Sequence, residues 1–117
     1  PEAVDPVLGT AGRMAADSGA NCNLSFGSAS PVTAMPPNDK GFHDVFGNVW
    51  EWTIDHFSAL PGFRINRLYE DFSTPCFDGQ HHVIMGGSFA STGNEASAFA
   101  RYHFRPHFHQ HAGFRLV

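Results

Sequence analysis

At 117 residues the chain has the size of one domain, so a single core is expected and a second independent one is not. Charged residues make up 15%, against about 25% in an ordinary globular protein, and the seven Lys and Arg form no stripe, which argues against a nucleic-acid-binding surface. The formal charge is −4 with His neutral, but eight His with pKa values near about 6.5 bring it toward zero in mildly acidic buffer, where solubility should fall.

Residues 1 to 20, "PEAVDPVLGTAGRMAADSGA", are small and Gly-rich, with no helical or strand period. They read as a weakly ordered lead-in and lack the basic-then-apolar layout of a signal peptide. No apolar run in the chain approaches the roughly 18 residues that span a bilayer, so a soluble, cytoplasmic protein without membrane contact is the expectation. Cys22 and Cys76 stand far apart and in no CxxC spacing; two reduced thiols are the simpler reading and a disulfide stays open. "NLSFGSASPVTAMPPNDKGF" is a polar loop in which Pro36 and Pro37 exclude helix and Asn38-Asp39-Lys40-Gly41 is turn chemistry.

The first firm strand is "NVWEWT", which alternates aromatic and other side chains. Ile54 to Gln80 contains Pro61-Gly62, Pro75 and Asp78-Gly79, three turn signals, and reads as a long irregular excursion. "HHVIMGGSF" is the second strand, with Gly86-Gly87 permitting a bulge or a close backbone approach. "STGNEASAFARYHF" opens on a capping pair, Thr92 with Glu95, and can form a short helix, while "GFRLV" reads as a terminal strand that closes a sheet. Twelve Gly and eight Pro, scattered without period, exclude a helical bundle.

"GFHDVFGNVWEWT", "VIMGGSF" and "GFRLV" occur in the order and approximate spacing of the formylglycine-generating-enzyme fold, and the chain resembles that superfamily over about residues 21 to 117. "EDFSTPCFDGQHHVIMGGSFASTGNEASAFARYHFRPHFHQHAGFRLV" is most similar to the 5-histidylcysteine sulfoxide synthases of ovothiol biosynthesis, sisters of the ergothioneine enzymes. The resemblance implies an α+β, C-type-lectin-like fold of short strands and long loops with little regular secondary structure. It also implies that residues 21 to 117 are the C-terminal portion of such a domain, completed by an N-terminal half or a partner chain.

Several site expectations follow from the resemblance. A structural calcium would be held by Asp44, the carbonyls of Gly47 and Val49, and Glu51; alternatively the two carboxylates bond only to backbone and Arg side chains. The two thiolates that bind copper in formylglycine-generating enzymes correspond to Ser91 and Ala96, so the copper oxidase reading fails. The iron of the sulfoxide synthases is held by His residues of a separate helical domain, which assigns His107, His109 and His111 to a pocket wall. His81 and His82, adjacent before a strand, should point to opposite faces.

The expected substrate-binding residues are Arg101, Tyr102, His103, Arg105 and His107, with Tyr102 as a candidate proton donor and the two Arg as carboxylate forks, unless they pair with Glu95 or Asp71. An acidic residue that contacts the histidine-derived substrate in the ergothioneine branch is missing from this triplet. The activity implied is Fe(II)- and O₂-dependent coupling of cysteine sulfur to the imidazole of histidine. The alternative is a non-catalytic lectin-like module that binds a ligand through residues 99 to 111.

Overall fold

The computed structural model describes residues 19–92 and 95–116. The expected lead-in lies outside the described residues up to position 18.

Four short strands make one mixed sheet: β1 (Trp50–His56), β2 (His82–Met85), β3 (Tyr102–Phe104) and β4 (Ala112–Gly113), in the order β3-β2-β1-β4. β1 pairs antiparallel with β2, β2 antiparallel with β3, and β1 parallel with β4. The first strand starts two residues later than the aromatic alternation suggests, because Asn48 takes a left-handed φ of 62° and belongs to the preceding turn. It also runs on through His56. Between Trp52↔Ile84 and His56↔His82 it carries four steps against two on β2, and the Thr53 hydroxyl donates to Val83 O at 3.0 Å within this bulge.

The terminal strand is confined to Ala112–Gly113. Beyond Gly113 the chain is held through the Arg115 side chain, which donates to Glu51 and to His43 O, and Phe114 and Leu116 face outward. The capping pair is present, with Thr92 N–H donating to Glu95 Oε2 at 3.1 Å, but the segment after it passes through turns into β3. The excursion between β1 and β2 has one 3₁₀ turn, Thr74–Cys76, with Pro75 in its first turn.

Small and polar side chains dominate the interior. Cys22, Phe57, Val83, Ile84 and Ala96 are buried, together with Asn21, Ser30, Asn48, Ser88, Ser91 and Ser97. Asn48 joins the loop pieces. Its Oδ1 accepts from Ser30 N–H at 2.8 Å, its Nδ2 donates to Ser30 O and to Asp44 Oδ2, and its backbone bonds to Asn21 O and Phe89 N–H. Gly47 sits so close to this junction that a Cβ would lie 2.3 Å from Asn21 O, and its φ of 77° suits glycine alone. A Cβ on Gly86 would meet Val45 O at 2.8 Å, the close approach that the Gly86-Gly87 pair permits.

Replacing Asn48 by Ala removes these side-chain bonds and strands buried partners. The expected loss is about 3 kcal/mol, read as a lower urea midpoint with unchanged slope. A loss below about 1 kcal/mol would show that the amide is dispensable.

Candidate functional site

Strand register sorts the expected site residues onto two faces. Trp52, Ile84 and Tyr102 are cross-strand partners on one face, and Val83 faces His103 on the other. Alternation along the backbone carries Arg101 and Arg105 to the His103 side. The five expected substrate-binding residues therefore do not converge on one pocket.

On the Tyr102 face, its ring meets Trp50 at a centroid distance of 5.0 Å, tilted by 53°. The phenol oxygen is 3.5 Å from Glu95 Oε1, at the outer limit of a hydrogen bond. Trp50, Ser91, Glu95, Tyr102, Gln110 and His111 line a shallow, open pocket of about 290 Å³. Partial burial pushes the Tyr102 pKa up, and the Glu95 carboxylate beside it adds to the shift, so the phenol keeps its proton at neutral pH.

Glu95 supplies an acidic group where the triplet itself has none. The sequence contains one signal for it, the Thr92–Glu95 capping pair, which fixes Glu95 at the start of the turn but not its position against Tyr102.

On the opposite face, Arg101 lies over the Phe57 ring at 5.4 Å, and the His103 ring stacks on the same Phe57 at 4.0 Å. Arg105 donates to Asp78 Oδ2 at 2.8 Å. Asp78 Oδ1 accepts from His81 Nδ1 at 2.9 Å and from the Gln80 and His81 amides. These donors, His81 first and then Arg105, hold the Asp78 carboxyl well below the ordinary carboxylate range. Asp78 is the second residue that the sequence reading missed; it stood there only as part of an Asp-Gly turn.

Burial lowers the His103 pKa, with the neighbouring His81 adding to the effect. His81 and His82 do point to opposite faces, since His82 meets His56 at 4.4 Å and His81 meets His103 at 5.3 Å. His107 is exposed beside Phe108, and His111 lies against Phe89.

At the expected calcium turn, Asp44 Oδ2 is taken by Asn48 and its Oδ1 is buried without a hydrogen-bond partner. Both Glu51 oxygens accept from Arg115, and Asp44 adds to the field that raises the Arg115 pKa. The set offers an ion one free carboxylate oxygen together with the Gly47 and Val49 carbonyls, short of the six to eight oxygens calcium takes. Arg115 supplies positive charge in its place, so the residues fit calcium only if that guanidinium is displaced. At the two positions expected to correspond to the copper thiolates, the Ser91 hydroxyl accepts from Ser88 N–H at 2.9 Å and Ala96 is buried against Gly87, so neither offers a soft ligand.

Among the described residues no helix is long and apolar enough to cross a membrane. The family model for the sulfatase-modifying factor enzyme 1-like domain matches residues 7–117, and the chain belongs to that family. Hercynine oxygenase of Mycolicibacterium smegmatis is 39% identical over 99 residues, covering 74% of this chain and 23% of that protein. The inactive C-alpha-formylglycine-generating enzyme 2 of Bos taurus is 54% identical over 74 residues, covering 62% of this chain and 25% of its own length. Among solved structures, Treponema denticola variable protein 1 superposes with a TM-score of 0.65 at 25% identity, over 85% of this chain and 35% of that one. The chain thus spans about a quarter or less of these two curated relatives, and its kinship reaches hercynine oxygenases as well as formylglycine-generating enzymes.

Ultraviolet titration should show Tyr102 ionising above the ordinary value of about 10, and Glu95→Gln should lower it. The neutral phenol's contribution to stability is then present below pH of about 10 and lost as pH rises through the folded value. An unchanged titration in Glu95→Gln would separate the two groups. Calcium and a calcium-selective chelator are each expected to leave the melting temperature unchanged, and a rise with calcium would mean that Arg115 yields to the ion.

Proposed function

We propose that this chain is the C-terminal part of a non-haem iron(II), O₂-dependent sulfoxide synthase that couples cysteine to histidine, of the ovothiol or ergothioneine type. The observation that carries the reading is the pocket in which Glu95 and Tyr102 meet Trp50, beside Ser88 and Ser91 at the end of the Gly-Gly-Ser segment. The kinship with hercynine oxygenases supports it.

In that pocket the carboxylate of Glu95 would accept an ammonium group, and the Trp50 and Tyr102 rings would offer faces to a cation or an imidazole. Tyr102, protonated at neutral pH, is placed to donate a hydrogen bond or a proton from its hydroxyl. The iron would supply O₂ activation and thiolate binding. The residues around Tyr102 do not form a site for it, since one imidazole, His111, is the only strong metal ligand there besides Glu95. This part of the chain would act by holding the imidazole substrate in reach of the thiolate.

Arg105 is already committed to Asp78 and His107 is exposed, so neither adds to this pocket; Arg101 would contribute only from the other face. Ile54, Leu68 and Leu116 are almost fully exposed, which supports a covering N-terminal half of the domain or a partner chain. The cytoplasm remains the proposed location.

The test combines the full-length protein with Fe(II), cysteine, histidine and O₂ and looks for histidylcysteine sulfoxide by mass. Product is expected, and Glu95→Gln should raise KM for the imidazole substrate about tenfold with a smaller change in kcat. No product from iron-loaded protein would overturn the proposal. The second reading, a non-catalytic C-type-lectin-like binding module, draws on the exposed Phe99, Phe108 and Phe114 and on the likeness to the variable protein. It gains if ligand binding persists without turnover.

A further inference from the structure

Across the sheet from the Tyr102 pocket, three side chains of different origin come together. Cys76 ends the 3₁₀ turn of the excursion, His81 precedes β2, and His103 is the centre of β3. One ligand atom from each lies within 4.8 Å of the other two. The sequence spacing matches no familiar metal motif, because the residues belong to three segments that only the β2–β3 pairing and the return of the excursion bring together.

Two further observations point to a cation at this place. His103 Nδ1 is buried and has no hydrogen-bond partner, and its ring is fixed by stacking on Phe57. A buried imidazole nitrogen without a partner is costly to leave so. His81 gives its Nδ1 to Asp78, which fixes the tautomer and leaves Nε2 with its lone pair. Asp78 is held in turn by Arg105 and the Gln80 amide, the carboxylate–histidine pairing found behind metal-bound imidazoles.

We propose that Cys76, His81 and His103 form a mononuclear site for a divalent cation of the zinc class. One thiolate and two imidazoles suit a borderline-soft ion better than calcium or magnesium, whose ligands are oxygens. Ligand atoms around a tetrahedral zinc are roughly 3.3 to 3.7 Å apart, so the three groups, already within 4.8 Å of one another, need close by no more than about 1.5 Å. The Cys76 thiol loses its proton to solvent as the metal–sulfur bond forms. Water fills the fourth position. The ion ties the excursion between β1 and β2 to the far edge of the sheet, a role independent of any iron and of the chemistry proposed for Tyr102.

The experiment uses the intact protein, stripped of metal with its thiols kept reduced, and titrates it with Co(II) as a spectroscopic substitute for zinc. A thiolate-to-cobalt charge-transfer band and the intense d–d bands of four-coordinate cobalt are expected, both displaced by Zn(II). Cys76→Ser and His103→Gln should abolish the charge-transfer band or cut affinity by at least a hundredfold. Asp78→Asn should weaken binding 10- to 100-fold, because it loosens His81 without removing a ligand. Should a ligand variant fail to fold, alkylation of the unmutated protein decides, with Zn(II) expected to protect Cys76 as located by peptide mass. Absence of the charge-transfer band in folded, reduced protein overturns the proposal, as does a band undiminished in Cys76→Ser or equal alkylation of Cys76 with and without zinc.

Discussion

Two buried amides, Asn21 and Asn48, tie together the loops that lead into the sheet. Among the described residues the sheet contributes four short strands, and the buried apolar residues are too few to orient the loops by packing alone. Asn48 instead bonds the turn at Asp44 to the Ser30 loop and to Phe89, while Asn21 Nδ2 donates to Ser28 O and lies within reach of the Ser30 hydroxyl and Asn48 Oδ1. Hydrogen bonds in such an interior are directional, so the junction specifies one arrangement where a greasy contact would permit several. Gly47 is forced by the same junction, since any side chain there strikes Asn21 O. The segment before β1 is thus structural, and its polar residues hold the loop from which Trp50 enters the sheet.

The sheet then acts as a divider. Because successive side chains alternate, Tyr102 and His103 are neighbours in sequence and on opposite faces in space. One face gathers Trp50, Glu95 and Tyr102, an aromatic and acidic combination suited to a cationic or imidazole ligand. The other gathers Phe57, Asp78, His81, His103 and Arg105, a network of charge and imidazole. The polar groups on that second face are mutually committed: His81 and Arg105 donate to Asp78 and hold it ionised, and Asp78 keeps both in place.

Much of the fold was legible because it rests on local signals. The alternation in "NVWEWT" marks β1, the Gly pair after "VIM" marks the end of β2 and the close approach to Val45, and the Gly and Pro scatter predicts loops. β3 was not marked, since three residues carry no period, and the terminal strand was overread because Arg115 leaves the ladder to reach Glu51. The candidate site was legible in part. Tyr102 was singled out from its segment, whereas Glu95 and Asp78 were not, because what matters in each is a partner on another strand or loop.

The family, the strand-and-loop character, the lack of sulfur at positions 91 and 96, and the opposite facing of His81 and His82 could be read from the residues alone. These follow from residue type and nearest-neighbour backbone geometry. The pairing of Glu51 with Arg115, the place of Glu95 beside Tyr102, and the convergence of Cys76, His81 and His103 arise from the folded arrangement. Each of those outcomes depends on strand register and loop return, which bring together residues 5 to 64 positions apart and leave no trace in local spacing.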